Sequence, residues 1–160
     1  MYNQASLEAI EKQEKTYVFD ESFDNEQAMK LGLMLVEEAK NYKAMAFRII
    51  IDDLTVFQYF MPGTRILNHN WMERKYHVVE RTHEPSLKSA IRHELFGKTE
   101  PWEENEFFYA FVGGGFPIVI NGQYRGMIIV SGLPDYLDHR MMTKTIAAYL
   151  GKEFIPIPTS

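Results

Sequence analysis

The residues best suited to chemistry fall in two stretches, one around Trp71 and one from Gly113 to His139. Asp138 and His139 stand early in a last amphipathic segment, just after Ser131-Gly132-Leu133-Pro134. An imidazole titrates near neutral pH and can serve as acid, base or metal ligand, with a nearby carboxylate setting its tautomer. Adjacent helical residues point in different directions, so sequence position alone does not make Asp138 the partner of His139. Helix capping, charge complementarity at a helix start and subunit contact compete with a chemical role. Trp71, Lys75, Val78 and Thr82 share one face of an earlier helix. A lysine set between tryptophan and valine either carries its ammonium to solvent along its own stem, or is held to meet a carboxylate or an anionic ligand. Gly113, Gly114 and Gly115 permit positive φ and close backbone approach, which serves a ligand-facing turn or a purely structural bend.

Several chemistries lack their pattern. The glycines form neither G-x-G-x-x-G nor a phosphate loop ending in Gly-Lys-Ser/Thr. His69, Glu73 and His77 are spaced by four and could converge on a helix face, but they do not make the H-E-x-x-H arrangement, and no metal site is expected. Ser131 is outside any G-x-S-x-G elbow, so hydrolase chemistry is disfavoured and no catalytic residue is assigned.

The elements that must position these groups follow from periodicity. Residues 4–14 read as a leading helix and Tyr17 to Phe19 as a short strand. Asp24 with Gln27 predicts a capped helix to about Tyr42, with Ala28, Leu31, Leu35 and Ala39 on its apolar stripe. Met45 to Ile51 and Thr55 to Met61 predict a hairpin about Asp52-Asp53. A helix opening at Asn68 or Asn70 runs to Glu84, Pro85 interrupts it, and a shorter one spans Ser86 to Phe96. Phe107 to Ile120 and Gly126 to Ser131 flank the turn signal Asn121-Gly122, with Tyr124 and Arg125 able to bulge the connection. Pro134 then sits in the first turn of a last helix ending at Gly151. Met141 and Met142, near Tyr136, are candidates for a subunit contact. Two hairpins and one early strand predict an α+β sandwich of profilin-like or PAS-like type, with a five-stranded antiparallel sheet flanked by helices.

The chain of 160 residues has no repeat or linker that would divide it, so residues 1–160 are expected to form one domain. A net charge of −5 argues against a general nucleic-acid or anionic-membrane binder, which would need basic patches. No apolar run approaches the ~20 residues of a bilayer span. The absence of cysteine removes disulfides and thiolate chemistry and suits the cytoplasm.

The stretch GGGFPIVINGQYRGMIIVSGLPDYLDH, Gly113 to His139, resembles the GlcG/HbpS-like haem-degrading-domain family, to which the C-terminal domain of PduO-type proteins also belongs. NWMERKYHVVER, Asn70 to Arg81, resembles the tryptophan- and lysine-bearing helix of a widespread branch of that family. Phe23, Ala28, Leu31-Gly32, Phe57 and Pro62-Gly63-Thr64 fit the rest of its pattern, so the resemblance spans nearly the whole chain. Val112 stands where the branch often carries histidine, His77 where it tends to have asparagine, and Pro85-Ser86 where it tends to have two serines. The resemblance implies a homo-oligomer that binds a small molecule, haem or another flat anionic tetrapyrrole. The candidate ligand contacts are Trp71, Lys75, Gly113, Gly114, Gly115, Pro117 and His139. A haem-degrading or redox enzyme and a non-catalytic assembly module are the alternatives.

Overall fold

The computed structural model describes residues 1–160. Helix α1 (Gln4–Thr16) opens on a capping box in which the Asn3 side chain takes the Ser6 amide and Ser6 Oγ takes that of Asn3. Helix α2 (Asn25–Ala39) begins at the predicted cap, with Asp24 Oδ1 accepting the Gln27 amide at 3.0 Å. Strands β1 (Ala46–Ile51) and β2 (Leu54–Phe60) form the first hairpin. Its turn residues Asp52 and Asp53 both take positive φ, 50° and 66°, the geometry that matches strand twist in a tight hairpin.

Helix α3 (Ile66–Thr82) starts before the predicted asparagines. Asn68 is its third residue rather than its cap, and its Oδ1 reaches back to the Arg65 amide at 3.0 Å. His83, left-handed at φ 58°, ends α3, and Pro85 opens helix α4 (Ser86–Phe96). A short 3-10 turn at Pro101–Glu104 follows. Strands β3 (Gly115–Ile120) and β4 (Gln123–Ser131) turn about Asn121-Gly122, and helix α5 (Asp135–Leu150) follows Pro134, which stands at its cap rather than inside its first turn. Ile118 pairs with Gly126 and Val119 with Tyr124, so Arg125 is the extra, bulged residue.

The sheet has four strands, in the order β2-β1-β4-β3, with every neighbouring pair antiparallel. The expected fifth strand at Tyr17 to Phe19 is reduced to a single parallel bridge, Phe19 N–H to the Val119 carbonyl at 2.9 Å. Tyr17 still closes α1 by bonding the Gln13 carbonyl, and Asp20 turns the chain at once by accepting the Ser22 amide, so no length remains for a ladder. The Phe107 segment likewise becomes strand only at Gly115: the Phe108 and Tyr109 amides turn back to the Asn105 carbonyl, the Ala110 amide bonds the Arg74 carbonyl of α3, and Gly114 takes φ 126°.

Strand alternation divides the core into two faces. Phe47, Ile49, Phe116, Ile118, Ile128 and Val130 face α2 and α5, while Ala46, Ile50, Met127 and Ile129 meet Met72 and Val79 of α3. Coverage on both sides explains why every residue of β1 is buried. Met141 and Met142 belong to the first core and are 1% and 0% exposed, which rules them out as surface contacts. No helix is long and apolar enough to cross a membrane.

Candidate functional site

Helix α3 lays Trp71 and Lys75 beside the junction of β4 and α5. The Lys75 stem crosses buried space, and its Nζ donates to the Val130 carbonyl at 2.9 Å and to Asp138 Oδ2 at 2.9 Å. Both charged side chains are almost wholly enclosed, at 3% and 2% exposure. Asp138 Oδ1 takes the Leu133 amide at 2.9 Å, which ties the carboxylate to the turn that launches α5. Nearby, the Gly113 amide donates to Asp135, and Asn68 Nδ2 donates to the Ser131 carbonyl at 3.3 Å. These groups border a cleft of about 400 Å³, walled by Trp71, Leu67 and Val112 and carrying Lys43 as a second cation. Burial raises both carboxyls above the ordinary range. The Gly113 amide and the Lys75 charge oppose that rise at Asp135, and the Lys75 charge and hydrogen bond oppose it at Asp138.

Of the seven sequence candidates, Trp71 and Lys75 line the cleft. Gly113, Gly114 and Gly115 do not line it and pack behind it. A Cβ on Gly114 would lie 2.6 Å from both Lys75 Nζ and the Val130 carbonyl, and a Cβ on Gly113 would lie 2.5 Å from the Asp135 carbonyl. Gly114 therefore packs closely on the ion pair, Gly113 on the start of α5, and Gly115 on Val79 and Ser86. Gly114→Ala combines that collision with a disfavoured positive φ and is expected to cost about 1–3 kcal/mol. A urea midpoint lowered at unchanged slope is the check. Pro117 is buried in β3 opposite Met127, away from the cleft.

His139 is also absent from the cleft wall and is fully buried. Its Nε2 meets Gln13 Oε1 at 2.7 Å, while Gln13 Nε2 donates to the Ile155 carbonyl at 2.7 Å. A carbonyl can only accept, so the amide orientation is set, and His139 Nε2 must carry the proton. Nδ1 is left bare and without a partner. Desolvation pushes the imidazole down to about 3, so His139 is a neutral internal strut between α5, α1 and the C-terminal segment. Of His69, Glu73 and His77, only the first two approach each other, His69 Nε2 lying 3.7 Å from Glu73 Oε1, so the three do not converge on one point. Glu73 turns to Arg48 at 2.5 Å, and His77 stacks on Phe108 with ring centroids 3.6 Å apart.

Sequence reasoning missed Asp135, Asn68 and Lys43 as cleft residues and left Asp138 without an assigned partner, which the structure gives as Lys75. The signal within reach was the i, i+3 spacing of Asp135 and Asp138 at a helix start that follows a lysine-bearing helix.

Comparison with known proteins places this architecture. The family model described as "Haem degrading protein HbpS-like" matches residues 23–147. A UPF0303 protein of Rhizobium rhizogenes is 38% identical over 152 residues, covering 92% of each chain. One from Streptomyces coelicolor is 34% identical over 149 residues, covering 89% of this chain and 92% of its own. Among solved structures, Ybr137w protein superposes with a TM-score of 0.80 at 24% identity, covering 92% of this chain and 89% of that one. The PduOC:Heme complex superposes with a TM-score of 0.67 at 16% identity, covering 81% and 95%. These structural likenesses establish the shared α+β sandwich, and the sequence matches establish kinship: the chain belongs to the HbpS-like family, alongside the UPF0303 proteins.

Proposed function

We propose that this chain, acting as one unit over residues 1–160 in the cytoplasm, is a homo-oligomeric small-molecule-binding protein whose cleft takes a flat anionic ligand. The observation that carries this reading is the Lys75 ammonium at the cleft. It has three N–H donors, of which Val130 and Asp138 take two. The third can meet a carboxylate, with Trp71 as a flat wall and Lys43 as a second cation. A cleft of about 400 Å³ is at the small end of the range for ligand sites, roughly 300–1,000 Å³, so it grips an edge of a large ring rather than enclosing it.

A tetrapyrrole is the ligand suggested by the family description and by the haem-bound PduOC neighbour. The residues present suit its ring and its carboxylates. They do not suit iron ligation, since His139 is sealed in the core with its Nε2 committed to Gln13 and Val112 offers no donor atom. Titration with haem and with iron-free protoporphyrin tests the reading. Both are expected to bind saturably with similar affinity, and Trp71→Ala should weaken both by about tenfold. A strong preference for haem with an axial-ligation spectrum contradicts the unligated mode, turnover of haem under reductant makes the site catalytic, and failure of both ligands to bind removes tetrapyrroles.

A further inference from the structure

The two edges of the sheet are built differently. β3 is guarded, since Pro117 lacks an amide donor and Phe19 already bonds the Val119 carbonyl. β2 has no proline, no charged residue and no strand or loop paired to its outer side. Edges of this kind are templates for pairing, which proteins ordinarily blunt with charge, proline or a cover.

The exposed edge continues into an apolar flank. Leu54 and Tyr59 of β2 are 60% and 43% exposed, and Met29 and Leu33 of α2 are 48% and 56% exposed. A Cβ on Gly32 would touch the Phe57 ring at 2.5 Å, so the middle of α2 is level with the middle of β2. On the stripe of α2 that carries Leu33, spaced by four and three residues, the charges run Glu26, Lys30, Glu37, Lys40, with signs minus, plus, minus, plus, while Asp24 and Glu38 lie off that stripe. A two-fold axis at the level of Leu33 reverses that series onto itself, setting Glu26 against Lys40 and Lys30 against Glu37. Within the chain only Lys40 and Glu37 are paired, at 2.8 Å on the surface, and Glu26 and Lys30 have no ionic partner. The apolar flank and the charge order are thus both self-complementary about one level, which is the requirement for an isologous contact.

We infer that β2 pairs antiparallel with β2 of a second copy of this chain, across a two-fold axis near Phe57 and Leu33, with the α2 flanks packed alongside. This rests on the homo-oligomer part of the proposed function and adds the surface and its register. Strand addition across the axis would satisfy the outer amides of β2 and extend the sheet from one protomer into the next.

The chain has no cysteine, so Leu33→Cys supplies a single thiol beside the axis, where it meets its own copy. A short bis-maleimide should link Leu33→Cys protein into dimers, while Leu137→Cys on α5, also exposed, should remain uncrosslinked. Native mass spectrometry of charge variants reads the register. Glu26→Lys should raise the dissociation constant by roughly tenfold, and Glu26→Lys combined with Lys40→Glu should restore it to nearly the original value. Circular dichroism of each variant verifies that it is folded. An oligomer that persists unchanged in Glu26→Lys, with no crosslink at position 33, overturns this surface and leaves the homo-oligomer reading standing. A protein that is monomeric at every concentration overturns both.

Discussion

Lys75→Ala is expected to destabilise the protein by about 3–5 kcal/mol, because removal of one member of a buried ion pair strands the other charge. The Asp138 carboxylate would keep backbone amides of the turn, Leu133 foremost, but no cation, while remaining 2% exposed. Asp138→Leu should be comparably harmful, since it leaves a buried ammonium with the Val130 carbonyl and no carboxylate in direct contact. The double substitution Lys75→Met with Asp138→Leu is expected to cost far less than the two single changes together, since a buried pair replaced by apolar groups of similar volume is often neutral or stabilising. A double-mutant cycle by urea unfolding measures the coupling, which should exceed about 2 kcal/mol. Single changes that cost less than about 1 kcal/mol would mean that water reaches the pair. The double variant also separates folding from binding: it should remain folded yet lose the anionic ligand.

Stability is expected to fall as pH drops from 6.5 toward 3, with His139 as a principal cause. Its ordinary value near 6.5 applies in the unfolded chain, whereas burial holds it to about 3 in the fold. Between those values the unfolded state binds the extra proton, so stability is full above pH 6.5 and declines with acid. The shift corresponds to a loss on the order of 4–5 kcal/mol across the window. Asp135 and Asp138 act with the opposite sign, because burial raises them and the folded state then holds protons more readily than the unfolded chain. The contribution of His139 is therefore read as a difference. Urea unfolding of wild type and His139→Gln at a series of pH values should show a steeper decline for wild type below pH 6.5, and parallel curves would remove the assignment.

Local signals were legible wherever a short-range rule decides the structure. Asp24 capped its helix, Asn121-Gly122 and Asp52-Asp53 made their turns, and Arg125 made its bulge. The fifth strand failed because a three-residue extended run between a helix cap and a turn cannot build a ladder, whatever its β propensity. In the site, helical spacing exposed the Trp71 and Lys75 face, but the partner of Lys75 is 63 residues away and adjacent to a histidine that invited attention. His139 itself was legible as a titratable group and illegible as a sealed one, since the amide that binds it belongs to Gln13 in the first helix. Burial and long-range partners are properties of packing, which periodicity in one chain does not encode.

The central claim, that the cleft beside Lys75 receives a flat anionic molecule, is open to a direct optical test. Only two tryptophans are present, so Trp102→Phe leaves Trp71 in the cleft wall as the single indole emitter. Titrating that protein with iron-free protoporphyrin should quench Trp71 saturably at one ligand per chain, and Lys75→Met with Asp138→Leu in the same background should abolish the saturable phase. Quenching that rises without saturation, or that survives unchanged in the variant lacking the ion pair, would contradict the account.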